Sequence, residues 1–364
     1  MSVSKIYFPL FIALFVVFTA CKDDETQNQQ TEESTVSFPT NDQDPETYLR
    51  SLNKQIGESP DDYTLFKDRA VVYYQLDSIN KAIQNIDYAI ELFRNSPELH
   101  YWRGFFAFSI NDTAKAKDEY EAAIGLGSRS PESYYQLGQI YFFQGNDEEA
   151  MELYQKAAEI NDQDPIYVFA QGFLEERRRK HSKALTAYQR ALEIDSTFDK
   201  ALIQLHDLYF NQYNSEKEAM KYIDKLISYQ PSHPLARFHK GNYYLRRALT
   251  MTGTSQQDAF QDQINKAVVE YTIAINRDDN FAQAWYNRGY CYFLADRHDE
   301  ALSDFQKCIE TNPGHPQAAF MLGSLYEYFN DFKTALKYYE QALENDPGNV
   351  DAETAVKEVK EKLG

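Results

Sequence analysis

The chain has 364 residues, room for two or three ordinary domains or one elongated repeat array, and 43 % hydrophobic residues to build a core. Its formal charge of −19 excludes a nucleic-acid binder, which needs a basic face, and leaves the body no electrostatic affinity for an anionic membrane. Cys21, Cys291 and Cys308 make neither a disulfide framework nor a CxxC metal pair, and seven scattered histidines form no ligand cluster, so no metal or other cofactor is expected.

At the start of the chain, Lys5 precedes a non-ionic stretch from Ile6 to Ala20 that is too short to span a bilayer and is interrupted by Pro9. It ends in Phe18-Thr19-Ala20-Cys21, with small residues before a cleavage point. The arrangement resembles a lipoprotein signal, 1–20, in which an apolar-small-small-Cys box directs lipid attachment to Cys21; Phe18 stands where Leu is usual. The segment Lys22-Asp23-Asp24-Glu25 resembles the Lys-plus-acidic export tag of lipoproteins displayed on the outer face of the outer membrane in some Gram-negative groups. That resemblance implies an outer-membrane protein, surface-exposed or else facing the periplasm. Residues 21–44, rich in Gln, Thr, Asp and Glu, are expected to form a disordered tether with a root-mean-square reach of roughly 25–30 Å.

Beyond residue 44 the sequence repeats itself. One column of small residues reads Ala70, Gly104, Gly138, Gly172, His206, Gly241, Gly289, Gly323. A second reads Ala82, Ala116, Ala150, Ala184, Ala219, Ala267, Ala301, Ala335, and most steps in both are 34 residues. Around them stand Tyr134-x2-Leu137-Gly138-x2-Tyr141 and Trp285-x2-Arg288-Gly289-x2-Tyr292, then Ala301-x3-Phe305-x2-Cys308 and Ala335-x3-Tyr339-x2-Ala342, closed by Pro313 and Pro347. These residues resemble the tetratricopeptide repeat. The resemblance implies an all-α, right-handed solenoid superhelix of about eight helix pairs, with small residues where the two helices cross and large rings above and below.

The units are expected at 63–96, 97–130, 131–164, 165–198, 199–233, 234–281, 282–315 and 316–349, between a capping helix in 45–62 and another in 350–364. Members of the two columns stand twelve apart, but thirteen in the fifth unit and twenty-six in the sixth, so both insertions lie between the helices of a pair. In the sixth, Thr254, Ser255 and Asp258 read as a helix start, with both helices about seven residues longer than their neighbours. Leu249, Met251, Phe260 and Ile264 are available to pack within that prong, which is a second contact candidate.

In tetratricopeptide repeats the first helix of each pair lines a concave groove. The resemblance places Tyr101, Phe105, Phe108, Tyr135, Phe142, Phe169, Phe173, Phe210, Phe238, Tyr286, Tyr290 and Phe293 there. Such rings also serve as packing between helices. The run Tyr101, Phe105, Phe108, Phe169, Phe173 points to a peptide-binding groove in the second to fourth units. A carboxylate clamp is not expected, because Lys67 stands alone and Val71 occupies the place of the Asn that should follow it. The run Arg177-Arg178-Arg179-Lys180-His181 reads as a turn answered by Glu175 and Glu176, or as a docking point for an acidic partner or an anionic head group. Cys308 occupies a small-residue slot and reads as a buried inert thiol, and His206 as a packing change in its column.

No nucleophile set, phosphate loop or paired carboxylates can be assigned. The expected function is therefore non-catalytic: an adaptor that gathers envelope proteins, held to the membrane through a lipid on Cys21. The alternative is a glycan-binding or glycan-processing surface protein that uses the rings as a sugar platform.

Overall fold

The computed structural model describes residues 44–251 and 256–364. The signal segment 1–20, Cys21, the tag residues Lys22, Asp23, Asp24 and Glu25, and nearly all of the tether lie outside the described residues, as do Thr254 and Ser255. The described residues form eighteen α-helices packed in adjacent pairs, an all-α solenoid architecture. Among them no helix is long and apolar enough to cross a membrane.

The chain divides into two compact units, with the boundary between Tyr213 and Asn214. In the unit ending at Tyr213, α1 (Pro45–Glu58) precedes four pairs: α2 (Tyr63–Gln75) with α3 (Ile79–Leu92), α4 (Pro97–Ser109) with α5 (Thr113–Gly125), α6 (Pro131–Phe143) with α7 (Asp147–Ile160), and α8 (Pro165–Arg177) with α9 (His181–Ile194). It closes with α10 (Asp199–Asn211). The unit beginning at Asn214 opens with α11 (Glu216–Tyr229) and continues as α12 (Pro234–Leu249) with α13 (Gln257–Arg277), α14 (Ala282–Leu294) with α15 (His298–Thr311), and α16 (Pro316–Tyr328) with α17 (Phe332–Asn345). It ends in α18 (Val350–Leu363), which buries Ala352, Val356 and Val359. The division falls inside the segment read from the sequence as the fifth repeat, in the turn that carries its extra residue.

Local chemistry sets each helix boundary. Pro45, Pro97, Pro131, Pro165, Pro234 and Pro316 open their helices, where the missing N–H has no partner to lose. The side chains of Asp44, Asp62, Ser96, Asp112, Asp331 and Asn349 accept a backbone N–H one turn ahead. First helices end in a left-handed residue: Asp77, Asn111, Gly145, Arg179, Asp296 and Asn330 all have φ between 53° and 79°. Around Asn111, its N–H donates to the Phe108 carbonyl at 2.9 Å and the Asp112 N–H to the Ala107 carbonyl at 2.9 Å, closing the helix end.

Within each unit, the two small columns mark where paired helices touch. Ala82, Ala116, Ala150, Ala184, Ala219, Ala267, Ala301 and Ala335 are fully buried. Opposite the glycines lies a ring from the second helix: a Cβ on Gly104, Gly172 or Gly241 would come within 2.8, 2.8 or 2.6 Å of Tyr120, Tyr188 or Tyr271. Where the column holds Ala70 or His206, the residue four after the matching Ala is Ile86 or Ile223, without a ring.

The sixth pair departs from the sequence reading in the length of its first helix and in the cap of its second. Helix α12 runs three residues past the common end of first helices, α13 starts seven residues early, and the remainder of the insertion lies between them. The N-terminal cap of α13 is Gln256, whose side chain makes no capping bond; Asp258 lies in the first turn. Phe260 and Ile264 are buried in a cluster that Leu249 and Met251 pack against, so these four residues hold the prong together.

Candidate functional site

The first helices carry rings at three register positions, and the structure buries some of these rings and leaves others partly exposed. Three residues before the small column, Tyr101, Tyr135, Phe238 and Tyr286 are 4–6 % exposed. Each ring packs on the second-helix ring of its own pair: Tyr101 on Tyr120 at 5.8 Å, Tyr135 on Tyr154 at 5.8 Å, Phe238 on Tyr271 at 5.9 Å and Tyr286 on Phe305 at 5.6 Å. These four, placed in a groove from the sequence, fill the interior instead. Phe105, one residue after the column, is likewise 7 % exposed, because Tyr74 and Trp102 cover it edge-on at 5.3 and 5.5 Å.

The remaining candidates keep part of their surface. Phe108, Phe142, Phe169, Phe210, Tyr290 and Phe293 are half-buried and Phe173 is 37 % exposed. Three of them come together on α6 and α8: Phe173 lies 5.6 Å from Phe142 and stacks on Phe169 at 6.3 Å. Phe169 in turn meets Phe198 edge-on at 5.4 Å. Phe143, 65 % exposed and perpendicular to Phe142 at 5.5 Å, extends the stripe to solvent and was not foreseen; the Phe142-Phe143 doublet at the helix end was its signal. In the second unit Tyr290 stacks on Tyr286 at 6.4 Å and Phe293 packs against His298 at 5.7 Å. Phe210 stacks with His206 at 5.9 Å and Phe108 packs on the core formed by the first two helix pairs and α6.

Electrostatics add one cation to the stripe. The Arg177 guanidinium lies 3.6 Å above the Phe142 ring and donates to the Phe142 carbonyl at 2.7 Å, while also pairing with Asp147. Arg178 pairs with Asp147 at 3.0 Å and Glu148 at 3.1 Å, and Glu175 answers Lys180 at 3.5 Å and Lys183 at 3.8 Å. The basic run is thus held mainly by the preceding pair's acids and not, as read from the sequence, by Glu175 and Glu176 alone. Glu176 accepts from the Tyr188 hydroxyl at 2.6 Å. Lys67 is engaged with Glu98 at 3.1 Å and Asp68 at 3.3 Å. Cys308 is fully buried, and that burial pushes its thiol up to about 12, which leaves it protonated and unreactive at neutral pH.

Tetratricopeptide-repeat family models match residues 131–164 and 280–347. These two segments are therefore tetratricopeptide repeats, and the helix pairs around them make a TPR-like all-α solenoid. Proteins built from such repeats are typically non-catalytic scaffolds for protein–protein interaction. None of the curated protein sequences matches significantly. Among solved structures, a monomeric mutant of IFIT1 with Gppp-AAAA is similar over 88 % of this chain and 78 % of its own, at 15 % identity and a TM-score of 0.56, a likeness of fold. YrrB, described as a TPR protein with an unusual peptide-binding site, aligns over 52 % of this chain and 96 % of its own at 23 % identity and a TM-score of 0.43.

Proposed function

We propose that this protein is an envelope scaffold, tethered to the outer membrane by a lipid on Cys21, that holds an extended segment of a partner protein along Phe142, Phe143 and Phe173. The observation that carries the binding site is the exposure of Phe143 and Phe173 beside Phe142, with Arg177 over the Phe142 face. Large rings left in solvent at a helix-paired surface lower their free energy when a partner covers them, and such aromatic and Arg groups dominate binding energies elsewhere. The anchor rests on the sequence: the box ending at Cys21 resembles a lipoprotein signal, and a strongly acidic body, on a chain of net charge −19, needs a covalent hold on an anionic bilayer.

Recovery of partners from solubilised native membranes tests the binding site. Phe143→Ala with Phe173→Ala is expected to lose the protein partners that the unaltered chain retains, at an unchanged melting temperature. Full recovery by the doubly altered chain rules the stripe out. A separate fractionation tests the anchor: Cys21→Ser is expected to leave the membrane fraction, and its retention there in the absence of partners would show that no lipid is needed.

A further inference from the structure

The lengthened helices of the sixth pair do more than pack on each other; they complete a pocket. A partly open cavity of about 400 Å³ lies where α11, α12 and α13 meet, lined by Lys240, Tyr243, Tyr244, Arg247, Gln263 and Lys266, with Met220 and Asp224 at its α11 wall. Arg247 lies beyond the common end of first helices, and Gln263 lies ahead of the common start of second helices. Neither would have an equivalent in a pair of ordinary length. On a chain of charge −19, this pocket gathers three cations against one carboxylate.

The three cations differ in how firmly they are held. Lys240 is committed, its ammonium 2.6 Å from Asp224. Lys266 lies 6.0 Å from the Tyr244 ring and pairs with Asp262 at 2.6 Å, an exposed one-turn pair of the kind that exchanges readily with a competing carboxylate. Arg247 is exposed, lies 5.5 Å from the Tyr243 ring and donates to the Tyr243 hydroxyl at 2.8 Å, and its guanidinium retains donors for a bidentate acid. Tyr243 and Tyr244 meet at 5.4 Å with their planes 63° apart, which makes a tyrosine wall between the two exposed cations. Gln263 offers the opposite polarity: its buried Oε1 accepts no hydrogen bond. A carboxylate for the cations and an N–H for the unmet acceptor are together what an acidic peptide segment presents.

We infer that this pocket is a second docking site, for an acidic segment of a partner protein, in which a Glu or Asp carboxylate lies between Arg247 and Lys266 and a peptide N–H reaches Gln263. It is built on a different set of helices from the aromatic stripe and does not depend on it.

Fluorescence anisotropy of labelled hexaglutamate with the purified chain, at low and physiological salt, tests the site. Hexaglutamate is expected to bind and to weaken as salt rises. Arg247→Gln with Lys266→Gln should weaken it at least tenfold at an unchanged melting temperature, since both side chains are substantially exposed. Lys333→Gln with Lys337→Gln, on α17, should leave it unchanged. Lys266→Glu alone provides a second variant with an expected loss of similar size. No binding at millimolar peptide, equal loss in the α17 control, or retention by both pocket variants would overturn the inference. Tighter binding of hexagalacturonate than of hexaglutamate would also overturn it, by making the pocket a site for acidic glycans.

Discussion

The ring of Tyr188 lies against Gly172, so close that a methyl group at residue 172 would meet its Cε1 at 2.8 Å. The crossing of α8 and α9 is therefore set by the absence of a side chain on one helix and the presence of a ring on the other. Tyr120 on Gly104, Tyr154 on Gly138, Tyr271 on Gly241 and Tyr339 on Gly323 repeat the arrangement.

Gly172→Ala should consequently destabilise the protein, although Ala favours a helix interior by up to about 1 kcal/mol over Gly. The overpacking cost of about 1–3 kcal/mol outweighs that gain. Gly172→Ala with Tyr188→Ile imitates the Ala70–Ile86 combination of the first pair and should cost less than the sum of the two single changes. A double-mutant cycle by urea unfolding measures the difference; strict additivity would mean that the two residues do not share a contact.

Hydroxyls of the second-helix tyrosines make a finer comparison. The Tyr188 hydroxyl donates to Glu176 at 2.6 Å and the Tyr339 hydroxyl to Glu327 at 2.8 Å, and each acceptor stands four residues after its glycine. After Gly104 that place is taken by Phe108, and the buried Tyr120 hydroxyl has no hydrogen-bond partner. Tyr120→Phe should therefore be neutral or stabilising, whereas Tyr188→Phe should cost about 1–3 kcal/mol because a charged acceptor loses its donor. Equal effects in thermal melts would contradict the assignment.

Arg179 occupies the left-handed position that Asp, Asn or Gly fills at the other first-helix ends, with φ 59°. Arg pays a steric cost there that Asn largely avoids. Arg179→Asn should raise stability by roughly 0.5–1 kcal/mol. Its exposed side chain forms no part of the paired basic residues around it, so no compensating loss is expected. A lower melting temperature would show that the arginine contributes a contact of its own.

His315 gives the fold a pH dependence. Its Nδ1 accepts the Ala318 N–H at 3.2 Å at the start of α16, and its ring stacks on Tyr286 at 4.8 Å. Burial lowers its pKa to about 4 from an ordinary 6.5, so the folded chain keeps the ring neutral while the unfolded chain takes up a proton. Between these values the unfolded state binds more protons, and stability falls as pH falls. The stabilisation is complete above pH 6.5 and is lost by about pH 4, a swing of up to roughly 3 kcal/mol. His315→Asn keeps an acceptor at the cap and should flatten the urea midpoint over this window relative to the unaltered chain.

The architecture was legible because packing imposes it on residue size. Ala150 and Gly172 have no room for more, and a period of 34 shows through even where His206 breaks the column. The site was less legible. Phe105 and Phe173 hold the same register position, yet Phe105 is 7 % and Phe173 37 % exposed. What separates them is Tyr74 and Trp102, rings that the packing of neighbouring helices brings onto Phe105. No single-position rule contains that information. The ring three residues before the column was misread for a related reason: a concave position and a contact with the pair's own second-helix ring have the same helical phase. The left-handed column escaped notice because Asp, Asn, Gly and Arg share a backbone conformation and little else.

The tight contact of α12 with α13 at Gly241 and Tyr271 lies well below the lengthened ends of both helices. Length in this pair is therefore decoupled from the grip that holds it. The sixth pair is a natural splice point, where a reporter or an epitope introduced between Thr250 and Gln257 adds bulk to the far end of a lever and leaves its fulcrum alone.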